Sequence, residues 1–384
     1  MRYSPERQTE KEAPTTKKEP PRPQSSPAGQ HFGYLDGLRA AAALFVVLHH
    51  AWLWAGLPLY VFGHDAVGLF IVISGFCLML PVVKAGGTLP GGALAFFKRR
   101  ARRILPPYYL AMLLSLVLIW LGLGQQPEGY YDESFAVNLN GIITHLLLIH
   151  DVFPSTATQI NGPFWSIAVE WRIYFLFPLL VLLFARWGVL KTVMLTLVGS
   201  VLLTLILLQT RVNMASHGVS PQYLTLFTLG MGAALIVYSS QGVFSKLYTQ
   251  LPWVALVVLL SLAIIVLGLV PLWGGELVPP YVSDYGVGLW SACLLIATSR
   301  PRTWLNAGFS WKPIVFLGTF AYSIYLIHFP LLRLFWQYLL LPFNLSAQVT
   351  FAWLVVLAVP LTIGLSYLFF LGAERPFLTR RPKA

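Results

Sequence analysis

The sequence predicts an all-α, polytopic membrane protein. Its mean hydropathy is +0.70, and 57% of its 384 residues are hydrophobic. Only 10% are charged, compared with about 25% in soluble globular proteins. The apolar residues lie in runs of roughly 20, the length that crosses a bilayer as one helix. These three observations exclude a soluble domain as the main body of the chain.

Ten apolar stretches are long enough to span the hydrocarbon core of about 30 Å. We predict about ten transmembrane helices, near residues 35–55, 66–83, 105–124, 164–185, 190–209, 221–239, 252–270, 282–299, 313–340 and 348–372. The segment 140–150 is too short to cross and precedes a loop rich in Pro, Ser, Thr and Gly. We interpret it as a re-entrant or outer-face short helix.

The charges predict the orientation. In this arrangement 23 of the 26 lysines and arginines fall on one side, and seven of the 14 acidic residues fall on the other. Because cytoplasmic loops hold most of the Lys and Arg, we predict a plasma-membrane protein with both termini in the cytoplasm. The same bias accounts for the net charge of +12, so nucleic acid is not an expected partner.

The ends of the chain differ from its body. Residues 1–30 have the polar, Pro-rich composition of a disordered cytoplasmic tail. A membrane domain at 31–376 follows, and a basic cytoplasmic tail at 377–384 ends the chain. The two cysteines, Cys77 and Cys293, both lie in apolar runs, so we expect neither a disulfide framework nor a metal site.

The rest of the chain is organised around YLDGLRAAAALFVVLHHAW, residues 34–52. An ionisable side chain costs about 3 kcal/mol at the bilayer centre on insertion scales, so the histidines are functional candidates. At about 100° per residue, Arg39 and His50 differ in direction by only about 20°, whereas His49 points elsewhere. His50 also lies about 16 Å deeper than Arg39. This stripe predicts a tunnel from a charged mouth, with Asp36 beside it, to a buried base.

A basic loop, FFKRRARRILPPYY, precedes the third predicted helix. Two interpretations stay open. The loop is a topology anchor that contacts anionic lipid head groups, worth about 1 kcal/mol per charge. Alternatively it is a phosphate clamp, since arginine presents a rigid fork that suits bidentate phosphate contacts. A nucleotide-bearing donor held there would extend its reactive arm along the tunnel.

Two later motifs place polar groups inside predicted spans. Ser74 and Gly75 interrupt an apolar run, which indicates close helix packing or room for a narrow substrate arm. Glu170 and Tyr174 share a helix face that Arg172 does not. A carboxylate inside a span is costly unless it is paired. Glu170 therefore belongs to a structural ion pair, or it binds the acceptor or orients an active-site group.

Near the C-terminus, FAYSIYLIHFPLL puts three polar side chains at steps of three on one slowly rotating face. They either bond neighbouring helices or contact substrate. The candidate substrate contacts are Asp36, Trp165, Tyr322, Tyr325 and His328.

Five motifs, in this order and spacing, resemble membrane-bound acyltransferase family 3: LDGLRAAAALFVVLHH, SGF, RRARRILP, FWSIAVEWRIYFLFP and YSIYLIHFP. The resemblance covers residues 34–376. It implies a ten-helix core that takes an acyl group from cytoplasmic acyl-coenzyme A. The acceptor in such a family is a hydroxyl of a sugar, polysaccharide or macrolide.

The resemblance also implies site residues. The family pattern places His50 and Glu170 in catalysis, and it places donor binding on Arg39, Ser74, Arg99, Arg100 and Arg103. One departure concerns the residues after Glu170, where many members carry a second Glu or a Gln. Here Trp171 and Arg172 follow, so we expect different acceptor contacts.

The sequence therefore predicts an O-acyltransferase, most simply an O-acetyltransferase, with acetyl-coenzyme A as donor and a carbohydrate or glycoside as acceptor. His50 acts as general base, a contribution of about 10²–10⁴ in rate, or forms an acyl-histidine. The competing class is a transporter or proton-coupled exporter in which His50, Glu170 and His328 form a relay. Inverted repeats would favour it, and the sequence shows no convincing repeat.

Overall fold

The computed structural model describes residues 32–57, 63–124, 132–270 and 278–378, and this part of the chain is helical without a strand. The predicted all-α class is confirmed. The tail at 1–30, and all but two residues of the one at 377–384, lie outside the described residues. The helices are α1 (Gly33–Trp54), α2 (Gly63–Lys84), α3 (Gly92–Trp120), α4 (Leu139–Leu146), α5 (Trp165–Leu207), α6 (Tyr223–Tyr238), α7 (Gly242–Gln250), α8 (Trp253–Leu269), α9 (Pro280–Ser299), α10 (Trp304–Phe309), α11 (Lys312–Gly318), α12 (Ala321–Phe335), α13 (Ala347–Trp353) and α14 (Val359–Phe369).

Six helical stretches in the described residues are long and apolar enough to cross a membrane, which makes this a multi-pass membrane protein. They are Gly33–Trp54, Gly63–Lys84, Gly92–Trp120, Gly162–Leu207, Ala321–Phe343 and Ala347–Phe377. The pair α6 and α7, bent by 94°, would be a seventh. Inside α5, Gly188 has φ 79° and ψ 177°, which separates two helices. The count of ten and the side of each terminus stay predictions.

Buried apolar side chains form two clusters. One is built around α2, α5 and α6. The other joins the second half of α1 to α12 and α14. The polar site described below lies where α1, α2, α3, α5 and α12 meet.

Glycines bring α2 and α6 into close contact. A Cβ on Gly75 would lie 2.0 Å from the carbonyl oxygen of Phe227, and one on Gly230 would lie 2.0 Å from that of Val72. Small residues allow such approach between membrane helices. Close packing therefore explains Gly75, whereas its neighbour Ser74 faces a cavity.

Replacing Gly75 by alanine should destabilise the protein by about 1–3 kcal/mol, because the added methyl group meets backbone that cannot rotate away. A thermal unfolding assay in detergent measures the effect. Gly364→Ala is the matched control: Gly364 lies in α14, and a Cβ there has nothing within 4 Å. An equal loss of stability in both variants would contradict this account of the α2–α6 contact.

The described part of the segment between α3 and α5, residues 132–161, contains no helix long enough to cross a membrane. Its helix α4 has 8 residues and rises about 12 Å, so the predicted short helix near 140–150 is confirmed. Asp151, fully buried, accepts two hydrogen bonds from Arg172 of α5 and ties the segment to the core. The rings of His145 and His150 stack 3.8 Å apart. Burial lowers the pKa of His145 to about 4, so this pair is neutral and structural near pH 7.

Candidate active site

A cavity that is open to solvent lies between α1, α2, α3, α5 and α12. Its walls combine apolar side chains with charged and hydroxyl groups. Seven residues predicted from the sequence line it: Arg39, Ser74, Arg100, Arg103, Glu170, Tyr322 and Tyr325. The structure thus gathers, from five helices, residues that are up to 286 positions apart in the sequence.

Arg39 is held at the charged end of this cavity by two neighbours. Its Nη1 donates to Asp36 Oδ1 over 2.6 Å, and its Nη2 donates to Cys77 Sγ over 3.0 Å. Asp36 is buried and does not line the cavity. The carboxylate therefore orients Arg39, and the guanidinium is the group that meets a ligand.

Two further arginines come from α3, one helical turn apart. Arg100 is half-buried and Arg103 is exposed. The Nε of Arg100 is buried without a hydrogen-bond partner among the described residues. A buried donor left unsatisfied costs about 1–3 kcal/mol or more when it is charged. The arrangement fits an anionic ligand such as a phosphate, which would supply the missing acceptor.

A chain of hydroxyl groups leads to the carboxylate in the cavity. Tyr174 donates to Glu170 Oε1 over 2.5 Å, and Ser74 lies 2.8 Å from the Tyr174 hydroxyl oxygen. Because the tyrosine proton points to Glu170, Ser74 donates to Tyr174. Arg172 pairs with Asp151 and not with Glu170. The departure from the family pattern at Arg172 thus serves a contact outside the cavity.

On α12, the cavity lining ends at Tyr325. Its hydroxyl oxygen lies 3.0 Å from the carbonyl oxygen of Pro163 and 2.7 Å from Ser166 Oγ. Ser166 Oγ in turn lies 3.3 Å from the same carbonyl oxygen. Tyr322 donates to the carbonyl oxygen of Ile104 over 3.3 Å. These bonds fix both rings, so each is positioned before any ligand arrives.

Beyond Tyr325, His50 of α1 and His328 of α12 contact each other, with His50 Nδ1 3.1 Å from His328 Nε2. His328 Nδ1 lies 2.8 Å from the carbonyl oxygen of Tyr325, so it donates, and its Nε2 is an acceptor. His50 Nδ1 also lies 2.9 Å from the carbonyl oxygen of Val46, so it is the protonated nitrogen. We assign the lone pair of neutral His50 to Nε2, the atom that a base or nucleophile needs.

The other predicted residues lie outside the cavity. Arg99 is exposed and donates to the carbonyl oxygen of Pro90 over 3.0 Å. His50 and His328 do not line the cavity, although the His328 ring is 5.8 Å from that of Tyr325. Trp165 is buried and stacks on His64 at 5.5 Å with an angle of 6°. The tunnel predicted from Arg39 to His50 is therefore only partly open.

A second polar cluster could not be predicted from the sequence, because its residues come from separate segments of the chain. His64 Nε2 lies 3.2 Å from Asp284 Oδ2, and Gln222 Nε2 donates to the same oxygen over 2.8 Å. The Tyr223 hydroxyl is 3.2 Å from His64 Nε2. The one sequence signal was Asp284, an acidic residue at the start of a predicted span. Asp284 is fully buried, so its carboxylate does more than contribute to the charge bias that orients the protein in the membrane.

Residues 32–371 match the family model described as an acyltransferase domain, that of acyltransferase family 3. The chain belongs to this family. The resemblance seen in its five motifs is thereby confirmed. Each of the five motifs contributes at least one residue to the lining of the cavity.

Several relatives align with most of this chain. The YrhL protein of Bacillus subtilis is 27% identical over 382 residues, which cover 91% of this chain and 56% of YrhL. The peptidoglycan O-acetyltransferase OatA of Listeria monocytogenes is 27% identical, covering 78% and 49% respectively. The O-acetyltransferase OatA of Staphylococcus aureus is 26% identical, covering 78% and 50%. This chain thus spans about half the length of these curated relatives. No solved structure matches it.

Proposed function

We propose that this family member moves an acyl group, most simply acetyl, from acyl-coenzyme A to a hydroxyl of a carbohydrate or glycoside. The observation that carries the proposal is the cavity, which has arginines at one end and ends next to the His50–His328 pair. This arrangement suits a donor with an anionic head and a long reactive arm.

Arg39, Arg100 and Arg103 would hold the phosphates of coenzyme A. Arginine contacts phosphate through charge-assisted, often bidentate hydrogen bonds, and Arg100 Nε lacks a partner among the described residues. Arg99 would take no part, because it bonds the backbone of its own loop. Ser74 and Glu170 would contact the arm of the donor or orient it, since both line the cavity.

His50 would carry the chemistry through Nε2. That atom takes the proton from the acceptor hydroxyl while the hydroxyl oxygen bonds the acyl carbon. The carbon–sulfur bond of the thioester breaks, and the proton passes to the departing thiolate. His328 Nε2 accepts a hydrogen bond from His50 Nδ1, so it fixes the tautomer and stabilises the imidazolium. Direct attack by Nε2 to form an acyl-histidine uses the same lone pair.

The acceptor class is supported by the relatives, which include the peptidoglycan O-acetyltransferase of Listeria monocytogenes and an O-acetyltransferase of Staphylococcus aureus. Binding of the donor from the cytoplasm belongs to the same proposal. The transporter alternative gains no support from the geometry. The hydrogen bonds of Glu170 lead to Tyr174 and Ser74, whereas those of His50 lead to His328.

The test uses purified protein in detergent, with acetyl-coenzyme A and no membrane gradient. We expect release of free thiol, faster when chitotetraose, a soluble β-1,4-linked glycan, is present. Mass spectrometry should find the acetyl group as an ester on the glycan. Reactions without protein and reactions without glycan give the two baselines. Protein that releases no thiol, whether glycan is present or absent, would contradict the proposed function.

A further inference from the structure

The cluster around Asp284 is a built polar site outside the donor cavity. Asp284 is fully buried, and its Oδ2 accepts hydrogen bonds from His64 Nε2 and Gln222 Nε2. The His64 ring lies flat against Trp165, and His217 meets Trp165 edge-on at 5.8 Å. Three segments of the chain thus fix the position of one imidazole ring.

The hydrogen bonds leave one His64 nitrogen for a ligand. Because Nε2 faces a carboxylate, it carries a proton, and Nδ1 is the remaining ring nitrogen. Within the described ranges, Nδ1 makes no hydrogen bond, and the His64 side chain is 9% exposed. A carboxylate that orients a histidine is familiar from catalytic and metal sites, but here no metal-binding group of residues was found in the described chain.

Two buried oxygens of the cluster have no donor in the part of the chain that the structure describes: Asp284 Oδ1 and Gln222 Oε1. Unsatisfied buried acceptors are rare and are usually met by water or a ligand. Both atoms accept hydrogen bonds and neither donates, so their complement is a group rich in donors. Hydroxyl groups of a sugar provide such donors, whereas a phosphate would be repelled by Asp284.

The cluster lies close to the proposed base. His217, in the loop between α5 and α6, interacts electrostatically with both His64 and His50. Burial lowers the pKa of His217 to about 4, so it is neutral near pH 7 and offers a hydrogen bond instead of a charge. The neighbour of His50, His49, packs its ring against Gly63, the residue before His64. The His49 and His50 ring centroids lie 5.2 Å apart, so His49 links the cluster to the proposed base.

We propose that His64, Gln222 and Asp284, together with Tyr223 and His217, bind the hydroxyl groups of the carbohydrate acceptor. Trp165 supports His64 from behind and does not stack on the sugar. The inference rests on the proposed acyl transfer and adds the acceptor-binding residues to it.

The experiment compares acceptor kinetics in matched variants. We expect Asp284→Asn and Tyr223→Phe to raise the KM for chitotetraose, by about 10-fold or more for the charged group and less for the phenol. The KM for acetyl-coenzyme A should change little, because neither residue lines the donor cavity. Tyr285→Phe is the control, since it also removes one phenol hydrogen bond, 2.9 Å long, but to Ser200.

A second readout covers loss of folding. Acetyl-coenzyme A binding and thiol release without glycan report whether each variant retains its donor site. Two results for Asp284→Asn would mean that the cluster is structural: a glycan KM at the wild-type value, or equal losses of transfer and of glycan-free thiol release. Either result would overturn this inference without contradicting the proposed acyl transfer. Wild-type protein that releases thiol but esterifies no glycan overturns the glycan assignment. Protein inert toward acetyl-coenzyme A contradicts the proposed function itself.

Discussion

Replacing His50 by alanine should lower the kcat of acyl transfer by about 10²–10⁴-fold, the usual contribution of a positioned general base. The reason is the hydrogen-bond arrangement around the ring. His328 and the carbonyl oxygen of Val46 both meet Nδ1 as acceptors, which places the proton of the neutral ring on Nδ1 and its lone pair on Nε2. Loss of this group removes a transition-state interaction, so kcat falls while donor binding stays close to the wild-type value.

His49→Ala is the matched control. The two rings lie 5.2 Å apart on the same turn, so each variant removes one imidazole from the same depth of α1. The His49 ring packs against Gly63, at the start of α2. We expect His49→Ala to lower the yield of folded protein more than its kcat. Near-normal turnover in His50→Ala, together with lost turnover in His49→Ala, would show that the base is assigned to the wrong residue.

Helical periodicity predicted much of the fold and part of this site. The apolar runs gave the helical class, and the length of the segment 140–150 excluded a span there. The angle of about 100° per residue separated His49 from His50, and the structure does place the two rings against different helices. These predictions succeed because they depend on contacts within one helix, which sequence spacing determines.

Contacts between helices could not be predicted in the same way. Arg39 and His50 share a face of α1, yet only Arg39 lines the cavity, because Tyr325 of α12 lies at its boundary. The bond from His64 to Asp284 joins residues 220 positions apart. Spacing also could not separate Arg99 from Arg100, because each lies within about 60° of Arg103 on an ideal helix. Only the loop at Pro90, which accepts from Arg99, separates them.

That last distinction gives the second large expected effect. Arg100→Gln should raise the KM for acetyl-coenzyme A about 10- to 150-fold, the range expected for a hydrogen bond to a charged group worth about 1.5–3 kcal/mol. Arg100 lines the cavity, and its buried Nε lacks a protein partner in the described residues. The contact that the variant loses is therefore the proposed one to a phosphate of the donor. Glutamine keeps most of the side-chain length but cannot make the charged, forked contact.

Arg99→Gln is the control for this variant, because it removes the same charge from the neighbouring position of the same helix. Its guanidinium bonds the carbonyl oxygen of Pro90 and does not line the cavity, so donor affinity should change little. Binding of acetyl-coenzyme A should be measured from low to high salt. Salt screens exposed charges most, so wild-type affinity should fall as salt rises, and the fall should be smaller in Arg100→Gln. Equal losses of affinity in the two variants would mean that the basic loop acts on the donor only through its overall charge. Arg100 would then have no specific contact with the donor in the cavity.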